Sequence, residues 1–219
     1  MRLERALGAR WLYRMDEARA LSAGLPDEDS WGLIKRLLVG RTHALLGDHA
    51  RAVAEYEAAL ALASEGRTYR EDLATNRSAA LPAIATSRLA VELHELGEPD
   101  AGRMAEKGAR LFSSLDQAAR DYAHPIVAFD RGELAESPDE ALRHHREARA
   151  LRERAWGPSA PATTESRVRC LELGDRDDDP RALSQRVERE LGAAHPWRAR
   201  LERVGDGEGG GASRPRRGV

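Results

Sequence analysis

Two histidines and a glutamate in the segment after Ser137 are the residues best suited to metal chemistry. Glu140 and His144 are four residues apart, so on a helix they would share one face and could bind a metal ion together. His144 and His145 are adjacent and would point to different faces. Because no third or fourth ligand stands at a telling spacing, we predict no metal ion and no cofactor, and a surface or groove role for these side chains. The remaining histidines are scattered and receive the same interpretation: His43, His49, His94, His124 and His195.

Signatures of covalent catalysis are also missing from the sequence. Cys170 is the only cysteine, and it lies in an apolar helical stretch without an adjacent histidine base, which favours a buried structural thiol. Neither a G-x-S-x-G turn nor a phosphate-binding glycine loop occurs. A lone thiol fits a reducing cytoplasm. We therefore predict a cytoplasmic protein that is not an enzyme.

Charge and hydropathy argue against nucleic acid and membranes as direct partners. The 35 basic and 37 acidic residues leave a net charge of −2, and Glu147 and Glu153 dilute the locally basic segment 143–154. No apolar run reaches the roughly 18 residues of a membrane span. The N-terminal residues carry charges throughout, unlike a signal peptide.

The elements that would position these residues are helices. Alanine, leucine, arginine and glutamate dominate the chain, aromatic residues make up 5 %, and runs rich in β-branched residues are missing. Apolar spacing and turn residues predict helices at 2–12, 16–23, 31–46, 50–65, 71–96, 100–114, 116–134, 138–155, 162–173, 180–191 and 196–204. Capping-box spacing recurs at Thr68 with Glu71, Ser114 with Gln117, and Ser137 with Glu140. Pro82 and Pro125 fall inside helical patterns and predict a kink or a helix start.

One segment, 39–61, shows how these helices would pair. It is predicted to form a helix, a tight turn at Gly47 and an antiparallel second helix, with Gly40 allowing the two helices to approach closely. The second helix carries one apolar face, formed by Ala52, Val53, Tyr56, Ala59 and Leu60. This pattern resembles the tetratricopeptide repeat (TPR), in which small residues stand at these places in both helices and a glycine opens the turn.

Further copies of the pattern extend the resemblance over about residues 10–192. Ala18 precedes Ala52 by 34 residues, the period of the family. Segment 89–112 has Gly97 at a turn, with Gly102 and Ala109 seven apart. Segment 138–173, with Ala141 and Ala148 seven apart, looks like the longer repeat of kinesin-light-chain-type arrays, which are also common in bacterial multidomain regulators.

The resemblance implies both a fold and a function. The fold would be all-α, with about five antiparallel helical hairpins and a capping helix stacked into a short right-handed solenoid over residues 1–204, followed by a disordered Gly/Arg tail at 205–219. Such a module would be a non-catalytic scaffold that binds a peptide or protein partner in a concave groove lined by the first helices.

Alignment with the family pattern assigns the following residues to that groove: Leu37, Arg41, Arg88, Val91, His94, Ile126, Asp130, Val168, Arg169 and Glu172. The apolar members could instead pack between helices. Leu37 and Arg41 stand where repeats that clamp C-terminal carboxylates have lysine and asparagine, which disfavours a receptor of that kind.

Two other functions remain open on the sequence. The chain could be the sensor or oligomerising part of a bacterial transcription regulator whose DNA-binding part is encoded elsewhere, and the sequence leaves a homo-oligomer open. It could also be a small helical enzyme or ligand sensor. That function would require a closed pocket holding several of the following residues: His43, Arg88, Glu92, His94 and Asp130.

Overall fold

The computed structural model describes residues 2–11, 14–25, 29–64 and 77–206, and within these ranges every regular element is an α-helix. The helices are α1 (Arg2–Trp11), α2 (Met15–Ala23), α3 (Asp29–Leu45), α4 (His49–Ser64), α5 (Arg77–Leu96), α6 (Ala101–Ser114), α7 (Gln117–Leu134), α8 (Pro138–Trp156), α9 (Pro161–Glu172), α10 (Pro180–Leu191) and α11 (Pro196–Gly205). The predicted all-α class is confirmed. None of the described helices is both long enough and apolar enough to cross a membrane.

The helix boundaries agree closely with those predicted from the sequence, apart from regions outside the described residues. The predicted start of the fifth helix at position 71 and the cap formed by Thr68 and Glu71 lie outside them, as does the tail from position 207 onward. Pro82 and Pro125 lie inside α5 and α7, so neither of them begins a helix.

Helix starts show which capping predictions were right. The Ser137 hydroxyl accepts a hydrogen bond from the Glu140 N–H at 3.2 Å at the start of α8, as the capping-box spacing predicted. The prediction for Ser114 was wrong, because this residue is the last of α6. The carboxylate of Asp116 caps α7 instead and accepts from the Ala119 N–H at 2.8 Å.

Three of the helices end in the same turn. Gly47, Gly97 and Gly174 follow α3, α5 and α9 with φ values of 76°, 74° and 87°, a backbone conformation that a side chain would strain. In each turn, the N–H of the next residue donates to the carbonyl five residues earlier: Asp48 to His43 at 3.0 Å, Glu98 to Leu93 at 2.9 Å, and Asp175 to Cys170 at 3.0 Å. This arrangement satisfies carbonyls that would otherwise be unpaired at the helix end.

The chain divides into two compact units, Met1–Asp130 (unit 1) and Arg131–Val219 (unit 2). The expectation of one repeat domain over residues 1–204 stays a prediction. In unit 1, each of α1–α2, α3–α4 and α5–α6 packs as a pair, and α5 also packs against α3 and α4. Alanine is the commonest residue in its main core, which comprises Leu33, Ala59, Ala80, Leu81, Ala83, Ile84, Ala85, Phe112, Ala119, Ala123 and Val127. Small side chains of this kind allow helices to approach closely.

Unit 2 is built around α9, which packs against α8 and α11, while α10 packs against α11. Most of α9 is buried: Ala162, Thr163, Thr164, Glu165, Ser166, Val168, Cys170 and Leu171. Four of these eight buried residues are polar: Thr163, Thr164, Glu165 and Ser166. Trp197 and Leu201 of α11 are among its large buried apolar side chains.

In α6, the residues that face the core differ by one position from the prediction. Ala101 and Gly108 are buried, whereas Gly102 is exposed and Ala109 is half-buried. A Cβ atom at Gly108 would lie 3.3 Å from the backbone nitrogen of Ser87 in α5, so this glycine marks the close approach of the two helices. The seven-residue spacing holds, but the pair predicted as Gly102 and Ala109 is Ala101 and Gly108.

Candidate functional site

A polar cluster in unit 1 brings together side chains from four helices around one buried tyrosine. Its members, which we name the Tyr56 cluster, are Arg41 of α3, His49 and Tyr56 of α4, Arg88 and Glu92 of α5, and Asp130 of α7. Three of the residues predicted to line the groove, Arg41, Arg88 and Asp130, belong to it.

Close packing of α3 and α4 fixes the position of Tyr56. A Cβ atom at Gly40 would lie 2.6 Å from Cε1 of the tyrosine ring, so only glycine leaves room for the ring. Ala52 and Ala59 lie one turn on either side of Tyr56, and all three are fully buried. The close approach predicted at Gly40 is confirmed.

Electrostatics keep the Tyr56 phenol neutral. Burial raises the pKa of Tyr56 to about 12, although Arg88 and Arg41 act in the opposite direction. The hydroxyl finds no hydrogen-bond partner among the described residues. A polar group buried without a partner costs folding free energy, and such groups merit a functional explanation.

Glu92 is held by an imidazole at the start of α4. The His49 Nδ1 atom lies 2.7 Å from Oε2 of Glu92, whose side chain is almost fully buried. Burial raises the pKa of Glu92, while the hydrogen bond to His49 and the charges of Arg41, His49 and Arg88 oppose that rise. This contact ties the α3–α4 pair to α5.

Basic and acidic members of the cluster differ in their exposure. Glu92 and Asp130 are each only 2 % exposed, whereas Arg41, Arg88 and His49 are partly exposed. One terminal nitrogen of Arg88, Nη1, is buried and has no hydrogen-bond partner within the described ranges. The basic side chains of the cluster are therefore more accessible to solvent than its acidic side chains.

The other predicted groove residues of unit 1 are arranged differently. Leu37 and Ile126 pack against the main core, and Val91 is buried. These three are packing residues, the alternative that the sequence left open for apolar members. His94 is exposed near the end of α5.

In unit 2, the predicted groove residues already contact neighbouring residues of the fold. Val168 is fully buried. Arg169 donates to Glu133 at 2.7 Å and to Glu172 at 3.2 Å, and Glu172 also accepts from Arg200 of α11. Burial, which disfavours the charged form of Arg169, is outweighed by Glu133, Glu172 and Glu165, so its pKa is raised above its ordinary value. The α9 side chains are engaged within the fold.

The structure corrects the interpretation of three histidines as surface or groove residues, because His43, His145 and His195 are buried. His43 Nδ1 lies 3.7 Å from Oδ2 of Asp48. His195 caps α11 and accepts from the Trp197 N–H at 3.3 Å.

His145 is the counterpart of Tyr56 in α8. Ala141 and Ala148 flank it at the spacing seen in α4, and a Cβ atom at Gly132 would lie 2.6 Å from its Cε1. Its Nε2 lies 3.4 Å from Oε1 of Glu133. Burial lowers the pKa of His145 to about 4, although Glu133 acts in the opposite direction. Both buried rings share one sequence pattern: a glycine in one helix, and in the next helix a ring residue with an alanine one turn before it and one turn after it.

The neighbouring His144 lies on the other face of α8, as predicted, with ring nitrogens 3.9 Å from Glu140 and 3.5 Å from Glu147. No group of three or more potential metal ligands occurs within the described ranges. Cys170 is fully buried, and burial raises the pKa of its thiol to about 12. This thiol is held in its protonated, weakly nucleophilic form.

In comparisons with known proteins, no family model, no curated protein and no solved structure matches this chain.

Proposed function

We propose that this protein is a tetratricopeptide-type helical repeat module that binds an acidic peptide or protein segment on the exposed side of the Tyr56 cluster. The binding is non-catalytic, and Arg41 and Arg88 make the principal contacts. The observation that carries this proposal is the difference in exposure within the cluster, whose two arginines are partly exposed and whose two carboxylates are buried.

The repeat assignment is supported by two structural features that recur along the chain, a glycine packed against a ring and a glycine turn at a helix end. Gly40 packs against the Tyr56 ring and Gly132 against the His145 ring, and alanines flank each ring residue in its helix. The same glycine turn follows α3, α5 and α9. Within unit 1, α3 and α5 pack directly against each other, as successive first helices of a stacked array do.

Charge and hydrogen bonding support an acidic partner. Guanidinium groups bind carboxylates through two parallel hydrogen bonds, and the Arg88 Nη1 atom has no acceptor within the described part of the chain. Glu92 is hydrogen-bonded to His49 at 2.7 Å.

A peptide selection tests the proposal. The purified full chain is used to select binders from a random displayed peptide library, and the affinity of enriched peptides is measured by fluorescence polarisation. We expect enriched peptides to contain Asp or Glu, and the Arg41→Gln and Arg88→Gln variants to bind them at least about tenfold more weakly, or about 1.4 kcal/mol. The matched control is Arg103→Gln, which changes an exposed arginine of α6.

The outcomes are distinct. Equal affinity of wild type and both cluster variants would place the binding site elsewhere, and enrichment of peptides without acidic residues would refute the acidic partner. Failure to enrich any peptide would refute the binding function. Circular dichroism of each variant checks that lost binding does not reflect lost structure.

A further inference from the structure

One titratable pair of the Tyr56 cluster connects α4 to α5 in unit 1. The Nδ1 atom of His49 lies 2.7 Å from Oε2 of Glu92, and the two helices pack against each other. The His49 side chain is 29 % exposed, whereas that of Glu92 is 3 % exposed. The pair therefore joins a carboxylate that solvent hardly reaches to an imidazole that can exchange protons with solvent.

The hydrogen bond between these two side chains can persist when the pair gains a proton. A neutral imidazole donates to the Glu92 carboxylate when its proton is on Nδ1. The other ring nitrogen, Nε2, then carries a lone pair that can accept a further proton. This second proton breaks no bond between His49 and Glu92, and it changes the pair from one negative charge to none.

The charges around Glu92 come from three helices. Burial raises the pKa of Glu92, while the hydrogen bond to His49 and the charges of Arg41, His49 and Arg88 lower it. Arg41 belongs to α3, His49 to α4 and Arg88 to α5. The buried residues of α6, which also packs against α5, carry no charge: Ala101, Met104, Gly108 and Phe112.

The remaining charged groups near the pair have other contacts. Asp48, which precedes His49 in the chain, lies 3.7 Å from Nδ1 of His43 and 3.2 Å from Arg51. Asp130 of α7 acts on Tyr56, together with Arg88, Arg41 and Glu92. A change in the charge of the pair is therefore felt in the part of the cluster that contains both arginines.

We propose that the His49–Glu92 pair makes the binding of acidic segments pH-dependent, with affinity rising as the pH falls from about 8 to about 6. This inference rests on the proposed function. Histidine ordinarily changes its charge in this range, whereas the carboxylates of a bound segment stay ionised. An added proton offsets the negative charge of Glu92 beside Arg41 and Arg88, so an acidic segment is repelled less.

Fluorescence polarisation at pH 8, 7 and 6 and constant ionic strength tests this regulation. The probe is an enriched acidic peptide that lacks histidine and has an acetylated N-terminus, so the peptide itself does not titrate. We expect the affinity of the full wild-type chain to rise at least about fivefold from pH 8 to pH 6. His49→Gln, whose amide can still donate to Glu92, should show no such rise. His144→Gln, in α8 of unit 2, is the matched control and should behave as wild type does.

A nuclear magnetic resonance titration of the wild-type imidazole signals gives a second measurement that needs no variant. Linkage is reciprocal, so a bound acidic peptide must favour the protonated form of the pair. We expect the titration midpoint of His49 to move to higher pH when the peptide is at saturation. An unmoved midpoint would overturn the inference.

The outcomes separate this inference from the function on which it rests. Peptide binding with the same affinity at all three pH values, or an equal rise in wild type and in folded His49→Gln, overturns the regulation and leaves the binding function standing. Absence of peptide binding at every pH overturns both. If His49→Gln fails to fold by circular dichroism, the midpoint of His49 in the wild-type chain decides.

Discussion

In each of the two units, a glycine of one helix lies against a ring of the next helix, yet the two rings have different surroundings. Gly40 faces the Tyr56 phenol, and Gly132 faces the His145 imidazole. Around Tyr56, the acidic groups are buried and two arginines reach solvent. Around His145, Glu133 is shared with Arg169, and Arg169 with Glu172.

The difference shows how one backbone arrangement can serve either binding or stability. Near His145, Arg152 donates to the Ala162 carbonyl, to Glu165 and to the Ser166 hydroxyl at 2.8–3.0 Å. In unit 1, Arg88 keeps an unsatisfied donor. We therefore expect substitutions near His145 to affect mainly folding, and substitutions of the exposed arginines near Tyr56 to affect mainly binding.

The largest expected effect is a difference in unfolding free energy between substitutions of Arg152 and of Arg88. Arg152→Ala removes a fully buried cation that faces Glu165 at 3.0 Å, so we expect a loss of about 3–5 kcal/mol of unfolding free energy. Arg88→Ala, at a partly exposed position, should cost within about 1 kcal/mol. Urea unfolding measures both. An Arg152→Met/Glu165→Leu double variant should recover much of the loss, and equal costs for the two single variants would contradict the comparison.

Titration should also separate the two rings. Because the pKa of His145 is lowered to about 4, the unfolded chain binds a proton more readily than the folded chain between about pH 6.5 and pH 4. The contribution of His145 to stability is therefore retained above about pH 6.5 and lost as the pH falls toward 4, by about 3 kcal/mol in total. Tyr56, with a pKa of about 12, contributes no such change.

Urea unfolding of wild type and His145→Gln at pH 7, 5.5 and 4.5 measures this term. The advantage of wild type over the variant should shrink as the pH falls. A difference between them that is independent of pH would show that His145 does not titrate in this way.

A smaller effect is expected where a side chain is added against each ring. Gly40→Val and Gly132→Val each introduce atoms within 2.6 Å of a buried ring, so both should cost about 1–3 kcal/mol in thermal or urea unfolding. Similar losses of stability in both variants would indicate that the two pairs of helices approach each other in the same way. A neutral Gly132→Val would show that the imidazole can move aside and that the two pairs are packed differently.

The smallest effect comes from α6, where the core-facing register was predicted one residue too late. Gly102 is exposed and has open space around its Cα, so Gly102→Ala should stabilise the protein by about 0.5–1 kcal/mol through helix propensity. Gly108→Val, against the backbone of Ser87, should destabilise it. If Gly102→Ala were the destabilising variant, the register predicted from the sequence would be right after all.

Local sequence signals were sufficient to predict the helices. Strong helix formers, Pro138 after Ser137, and glycines such as Gly47 and Gly97 act within a few residues, so the boundaries follow from nearby chemistry. The register of α6 could not be obtained in this way. Both candidate small-residue pairs in α6 have seven-residue spacing, and only contact with α5 selects between them.

The candidate site was only partly predictable for the same reason. Alignment with the repeat pattern identified Arg41, Arg88 and Asp130, and these residues do come together. Tyr56 was interpreted from the sequence as an apolar packing residue. Its hydroxyl lacks a hydrogen-bond partner only in the folded protein, where side chains of four helices surround it, and a local sequence pattern does not reveal this. The pairing of Glu172 with Arg200 joins residues 28 apart in sequence, and no local pattern announces it.

The most direct test of the central claim is a nuclear magnetic resonance titration of the ¹⁵N-labelled full chain with an enriched acidic peptide. We expect the largest shifts at the amides of α3 and α5 around Arg41 and Arg88, and at the Nε–H signals of these two arginines. Shifts confined to other helices, with the signals of Arg41 and Arg88 unchanged at saturation, would contradict it.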